Sequence, residues 1–239
     1  GEPISHQSGI SCMAEYAVVD RGTVVVVDKS LALDEAAIFG CAVMTGVGAV
    51  TNTARVRPGD AVAIVGLGGV GLNALLGAVL GGAERIIAID ISDDKLGLAR
   101  HLGATDTFNA TDADCAAQVI ELTRGGVDFA IETAGAIKAM ETCYSILRTG
   151  GRVIAAGIPP VTETFAFKPA QLVGEERGIV GSSMGSCVPV RDIPRYISLY
   201  QQGRLPVDKL IDARVGFDHI NEGFDRLSNG AVVRQILVP

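Results

Sequence analysis

The sequence predicts an α/β chain built on a doubly wound, six-stranded parallel sheet, and three observations carry that prediction. Gly66-Leu67-Gly68-Gly69-Val70-Gly71 follows the apolar run Ala61–Val65 and opens a helical segment. A second strand, Arg85–Asp90, ends in an acid 90 − 71 = 19 residues beyond the last of those glycines. Strand-like and helix-like runs then keep alternating, the rhythm of parallel strands joined by right-handed crossover helices.

In order, the sheet region reads as strand Ala61–Val65, a helix from Gly69, strand Arg85–Asp90 and a helix starting near Ser92. There follow a strand at 105–108, a helix at 114–123, a strand at 127–131, a helix at 137–147, a strand at 152–156 and a sixth strand at 178–182. Two mononucleotide-binding halves of this kind form a Rossmann sheet of order 3-2-1-4-5-6. Before Pro58-Gly59-Asp60 the character differs: 15–20 and 23–27 read as strands, 33–39 and 42–56 as helices leading into the sheet. At the far end a helix at 218–227 and a strand at 232–238 return to that other unit. The expected division is 1–40 as part of a β-rich catalytic domain, 41–205 as the dinucleotide-binding domain, and 206–239 as the return.

Composition narrows the function. The net charge of −7 and pI near 5.0 argue against a nucleic-acid surface. No apolar run has the length of a membrane span, and Gly1-Glu2-Pro3-Ile4-Ser5 is not a signal sequence. The opening lacks methionine, so a cut polypeptide is expected. Cysteines at 12, 41, 115, 143 and 187 show no CxxC spacing, which predicts free thiols and a cytoplasmic setting. His6, His101 and His219 suggest neither a triad nor a metal cluster.

The glycine motif has a physical reading. Gly66 permits the tight strand-to-helix turn, Gly68 lets a pyrophosphate approach the backbone, and Gly71 lets the helix pack closely on the sheet, with Gly69 and Val70 forming its first turn. The helix N-terminus offers unpaired N–H donors and a positive dipole end to phosphates. Asp90 can accept hydrogen bonds from both adenosine ribose hydroxyls and would repel a 2′-phosphate, which favours NAD over NADP. The alternative is that the glycines make only a turn and Asp90 only caps the helix near Ser92.

A longer set of motifs resembles the zinc-dependent medium-chain alcohol dehydrogenases, nearest the branch with glutathione-dependent (class III) formaldehyde dehydrogenase. It comprises Cys41-Ala42-Val43-Met44-Thr45-Gly46-Val47-Gly48, Arg57-Pro58-Gly59-Asp60, the glycine motif, Leu102-Gly103-Ala104-Thr105-Asp106, Gly125-Gly126-Val127-Asp128, Gly157-Ile158-Pro159-Pro160 and Ile220-Asn221-Glu222-Gly223-Phe224-Asp225. The chain resembles the C-terminal two-thirds of that family. By resemblance, Cys41 is the third catalytic zinc ligand. Thr45 and Val70 lie against the nicotinamide, Lys95 adds a contact to the adenosine ribose, and Ala134, Ala156 and Ile158 line the cleft. Backbone groups of Ser182 and Met184 address the carboxamide, and Arg234 clamps the pyrophosphate.

The resemblance implies hydride transfer between a small-molecule alcohol or aldehyde and NAD, with Zn²⁺ bound only where the N-terminal ligands are present, so the chain alone is expected to be inactive. It also implies a homodimer through the edge segment 178–184. Ala156, Ser182-Ser183-Met184 and the absent N-terminal domain depart from the family pattern, which puts the substrate out of reach. Two other readings stand beside this one: a zinc-free, NADPH-dependent quinone or enoyl reductase, and a non-catalytic NAD-binding module.

Overall fold

The computed structural model describes residues 13–230 and 232–239; Cys12, His6 and the rest of the opening segment lie outside the described residues. The chain divides into two compact units, Gly1–Ile38 with Asp208–Pro239, and Phe39–Val207. In chain order the elements are α1 (Leu33–Ala36), α2 (Ala42–Gly48), β1 (Ala61–Val65), α3 (Gly69–Gly81), β2 (Arg85–Asp90), α4 (Asp93–Leu102), β3 (Asp106–Asn109) and α5 (Cys115–Leu122). They continue as β4 (Val127–Glu132), α6 (Ile137–Ser145), β5 (Leu147–Ala155), α7 (Pro169–Gly174), β6 (Gly178–Gly181), α8 (Pro189–Gln201), β7 (Ala213–Gly216), α9 (Ile220–Ser228) and β8 (Gln235–Val238).

The larger unit is the predicted Rossmann sheet: six parallel strands in the order β3-β2-β1-β4-β5-β6. The inner strands are covered on both faces, which is why Val62-Ala63-Ile64-Val65 and Ile86-Ile87-Ala88-Ile89 are unbroken apolar runs rather than alternating ones. The order reverses between β1 and β4, so the carboxyl ends of these two strands flank the crevice in which open α/β sheets bind ligands. α3 is apolar on all sides because α2 packs against it: a Cβ at Gly77 would sit 3.1 Å from Val47 Cα.

Several boundaries move. The expected helix at 42–56 is α2 followed by a π-type turn, Ala49–Ala54, which ends at Arg55 (φ 60°), whose N–H donates to Val50 O five residues back. The helix at 137–147 stops at Ser145 because Leu147 already pairs with Val127, and β5 then bulges through Arg148 to Gly151 before rejoining at Arg152. α7 and α8, each starting at a proline, were not read from the sequence.

In the smaller unit β7 and β8 form a parallel pair, so the final strand is four residues long and its partner went unread. The stretches 15–20 and 23–27 are not strands. Asp20 instead folds a 3₁₀ turn, its carboxylate accepting from Gly22 N at 2.7 Å, and no neighbouring strand among the described residues completes a ladder there. The expected helix at 33–39 is one α-turn continued as 3₁₀, Ala37–Gly40. Among the described residues no single helix is long and apolar enough to cross a membrane, and Cys41, Cys115, Cys143 and Cys187 are free thiols.

Candidate functional site

The glycine turn is held by steric necessity. Gly66 has φ 92°, and a Cβ there would collide with Ala134; a Cβ on Gly71 would drive into the Gly66 carbonyl. Thr133 fixes the same carbonyl, donating from Oγ1 to Gly66 O at 2.6 Å, while its backbone N–H bonds Val65 O at 3.0 Å. Gly68 is the N-cap of α3, and a Cβ there would meet open space within a cleft. The first-turn N–H groups that follow have no intrahelical acceptors.

Asp90 closes β2 at 8% exposure. Its Oδ2 accepts from Leu67 N at 2.6 Å and its Oδ1 from Ser92 N at 2.9 Å, so the acid braces both the glycine turn and the start of α4. Each oxygen keeps a further lone pair for a ligand. The bond to Ser92 is a turn between residues two apart, ending at the residue before α4, so Asp90 does not cap a helical N–H of α4.

A cleft of about 470 Å³ gathers Gly66, Gly68, Asp90, Lys95 and Ala134 from the residues predicted for the cofactor. Thr111 and Lys138, which no sequence motif points to, also line it. Lys95 sits half-buried in the first turn of α4.

A second group assembles around α2. Thr45 is buried on that helix with its Oγ1 3.9 Å from Met184 Sδ, and Val70 reaches the same helix because Gly46 has no side chain to block the Val70 carbonyl. Ser182 is buried and its hydroxyl lies 2.8 Å from Thr53 Oγ1. Ala156 donates its N–H to Glu132 O at 2.9 Å. Ile158 is 89% exposed, its backbone against Gly135. Arg234 belongs to the smaller unit, where its N–H donates to Asp212 Oδ2 at 2.8 Å.

Glu132 is the residue sequence reasoning missed. It ends β4 at 1% exposure, and its Oε1 accepts from Ala134 N at 2.9 Å and Gly135 N at 2.8 Å. Burial pushes its carboxyl above the ordinary value, against the pull of these backbone donors. A Cβ on Gly157 would crowd Glu132 Oε2, so this one acid sets the loops that follow both β4 and β5. The available signal was an acid closing an otherwise apolar strand, immediately before Thr133-Ala134-Gly135.

Zinc is not matched by what is present. Cys41 is exposed at the N-cap of α2, and no group of three His, Cys, Asp or Glu able to hold a metal occurs among the described residues. A catalytic zinc site needs three protein ligands.

The sheet and its cleft define a Rossmann-type α/β protein. The chain belongs to the zinc-binding dehydrogenase family, whose model matches residues 69–202, and is an alcohol dehydrogenase-like member of the medium-chain dehydrogenase/reductase superfamily. It is 36% identical to alcohol dehydrogenase 1 of Trifolium repens over 99% of this chain and 63% of that protein. It resembles the structure of an alcohol dehydrogenase zinc-binding domain protein from Burkholderia ambifaria with a TM-score of 0.93 at 33% identity, covering 97% of this chain and 62% of the other. Benzyl alcohol dehydrogenase from Acinetobacter calcoaceticus superposes with a TM-score of 0.86 at 35% identity, covering 89% and 59%. The chain thus spans under two-thirds of the length of these relatives.

Proposed function

We propose that the chain is the cofactor-binding part of an NAD-dependent, zinc-type oxidoreductase that transfers a hydride between an alcohol or aldehyde and the nicotinamide. One observation carries this reading: the Asp90 carboxylate lines the same cleft as Gly68, whose missing Cβ leaves the α3 N-terminus open. Diphosphate fits that N-terminus, and ribose hydroxyls fit the acid. A 2′-phosphate would face the carboxylate's like charge, which favours NAD over NADP.

Within this reading Thr45 and Val70 back the nicotinamide, the latter as a stiff branched buttress. Backbone groups at Ser182 and Met184 address the carboxamide, Ala156 and Ile158 border the cleft, and Lys95 contacts the ribose. The nicotinamide supplies a two-electron hydride acceptor when bound. Cys41 would serve as a zinc ligand only where the further ligands such a site needs are present. The homodimer is proposed at β6, an edge strand whose Ile179 and Val180 are each 37% exposed. Free thiols support a reducing, cytoplasmic setting.

Titration with NADH and NADPH, followed by nicotinamide fluorescence, tests the cofactor reading in a chain without tryptophan. Saturable NADH binding that weakens sharply for NADPH is expected. Equal affinities would overturn the NAD assignment, and no binding of either would overturn the function.

A further inference from the structure

Three consecutive residues of the 183–186 turn, Met184, Gly185 and Ser186, have φ of 48°, 68° and 50°. Only one of them is a glycine, and residues with side chains hold this left-handed region only where their surroundings over-determine it. The restraint comes from one short stretch of chain, the π-type turn Ala49–Ala54 that follows α2.

Asn52 and Thr53 are adjacent, and adjacent residues of an α-helix do not share a face. In the π-type turn both reach the 182–187 segment. Asn52 donates from Nδ2 to Gly185 O and to Cys187 Sγ, each at 3.3 Å. The Cys187 thiol in turn donates to Met44 O at 3.3 Å, which ties the same segment to α2. Thr53 Oγ1 stands between Ser182 Oγ and Ser186 Oγ, 2.8 Å from each, and so spans the turn from one end to the other.

Burial sets the direction of this chain of hydroxyls. Ser182 is 3% exposed and Thr53 is the only partner of its hydroxyl among the described residues, so the Ser182 proton is satisfied by donation to Thr53. Thr53 then donates to Ser186, whose exposed hydroxyl is free to donate to water.

We infer that Thr53 is a positioning residue for hydride transfer: its hydroxyl bridges both ends of the left-handed 183–186 turn and thereby fixes where Met184 meets the nicotinamide. Met184 Sδ lies 3.9 Å from Thr45 Oγ1, so the bridge also sets the spacing between the two residues assigned to that ring. The inference rests on the reading of Thr45 and Met184 as the nicotinamide end of the site. None of Asn52, Thr53, Ser182 and Ser186 lines the cleft around Gly68 and Asp90, so loosening the bridge should spare the adenosine half of the cofactor.

The test measures NADH binding by nicotinamide fluorescence, and ADP-ribose binding by displacement of NADH, in the full chain. Thr53→Val removes the bridge and should weaken NADH roughly tenfold, the effect of one or two modest hydrogen bonds, with ADP-ribose affinity unchanged. Thr53→Ser restores the hydroxyl and should recover wild-type affinity. Ser186→Ala, at an exposed position, should weaken NADH about threefold with the same selectivity, and it decides the question if Thr53→Val does not fold. Equal loss of both ligands, unchanged NADH affinity, or no recovery in Thr53→Ser would overturn the positioning role and leave the cofactor reading standing. A wild-type chain that binds neither ligand would overturn both.

Discussion

The backbone N–H of Leu67 donates to Asp90 Oδ2 at 2.6 Å, which ties the end of β2 to the glycine turn above β1. Leu67 is fully buried, so this donor has no alternative acceptor in water. The acid proposed to bind the ribose is thus also a structural brace.

Replacement of Asp90 separates the two duties. Asp90→Ala orphans the Leu67 donor and should lower unfolding free energy by about 1–3 kcal/mol while abolishing discrimination between NADH and NADPH. Asp90→Asn keeps one oxygen for Leu67, removes the repulsive charge, and should recover most of the stability while gaining NADPH affinity. Urea unfolding and paired cofactor titrations check both outcomes.

Two glycines three positions apart should fail in opposite ways. Gly71→Ala places its methyl into the Gly66 carbonyl, where backbone would have to move, and should cost roughly 2–3 kcal/mol or more. Gly68→Ala meets nothing in the protein and should leave the melting temperature nearly unchanged, yet weaken NADH at least about tenfold by occupying the pyrophosphate approach. Calorimetry with NADH titration distinguishes them, and an unaltered NADH affinity in Gly68→Ala would remove the pyrophosphate from this turn.

Glu132 predicts a pH dependence. Burial raises its folded carboxyl above the ordinary 4.5, so the folded state holds its proton more tightly than the unfolded state does. Native stability from this group is fully present below the unfolded value and declines as pH rises through the folded one. Glu132→Gln keeps an oxygen for Ala134 and Gly135 but cannot ionise, so the difference in stability between variant and wild type should shift in the variant's favour across that window. Asp34 and Asp192, whose carboxyls are lowered chiefly by Arg214 and Arg191, contribute the opposite slope equally in both proteins and cancel. Urea midpoints measured against pH give the comparison, and a difference independent of pH would contradict it.

Much of this was legible because it is local. The glycine spacing, the apolar strands and Asp90 all obey short-range rules, and the strand order follows once crossovers are right-handed. What stayed hidden depends on distant partners. The strand expectations at 15–20 and 23–27 fail because a strand exists only with a neighbour to share its ladder. β7 was unread because Ala213-Arg214-Val215-Gly216 is too short to signal by itself and is defined by pairing with β8. Glu132 escaped because its value lies in the loops after β4 and β5, brought together only by the sheet. Thr111 and Lys138 are 27 residues apart by number, 138 − 111, and share a cleft wall only after folding.

Gly185 brings the 183–186 turn directly against α2. Met184 and Gly185 both take left-handed conformations, φ 48° and 68°, and a Cβ on Gly185 would collide with the Met44 carbonyl and approach Gly48 Cα to 2.8 Å. That close approach is what seats Met184 beside Thr45. Gly185→Ala combines the collision with an unfavourable φ and should cost about 2–3 kcal/mol, a fall of several degrees in melting temperature for a chain of this size. Because the 183–186 turn must lift away from α2, NADH affinity should fall as well, whereas the free adenosine half of the cofactor, offered as ADP-ribose, should bind as before. A variant that loses both ligands equally would show that the turn supports the whole cleft rather than its nicotinamide end.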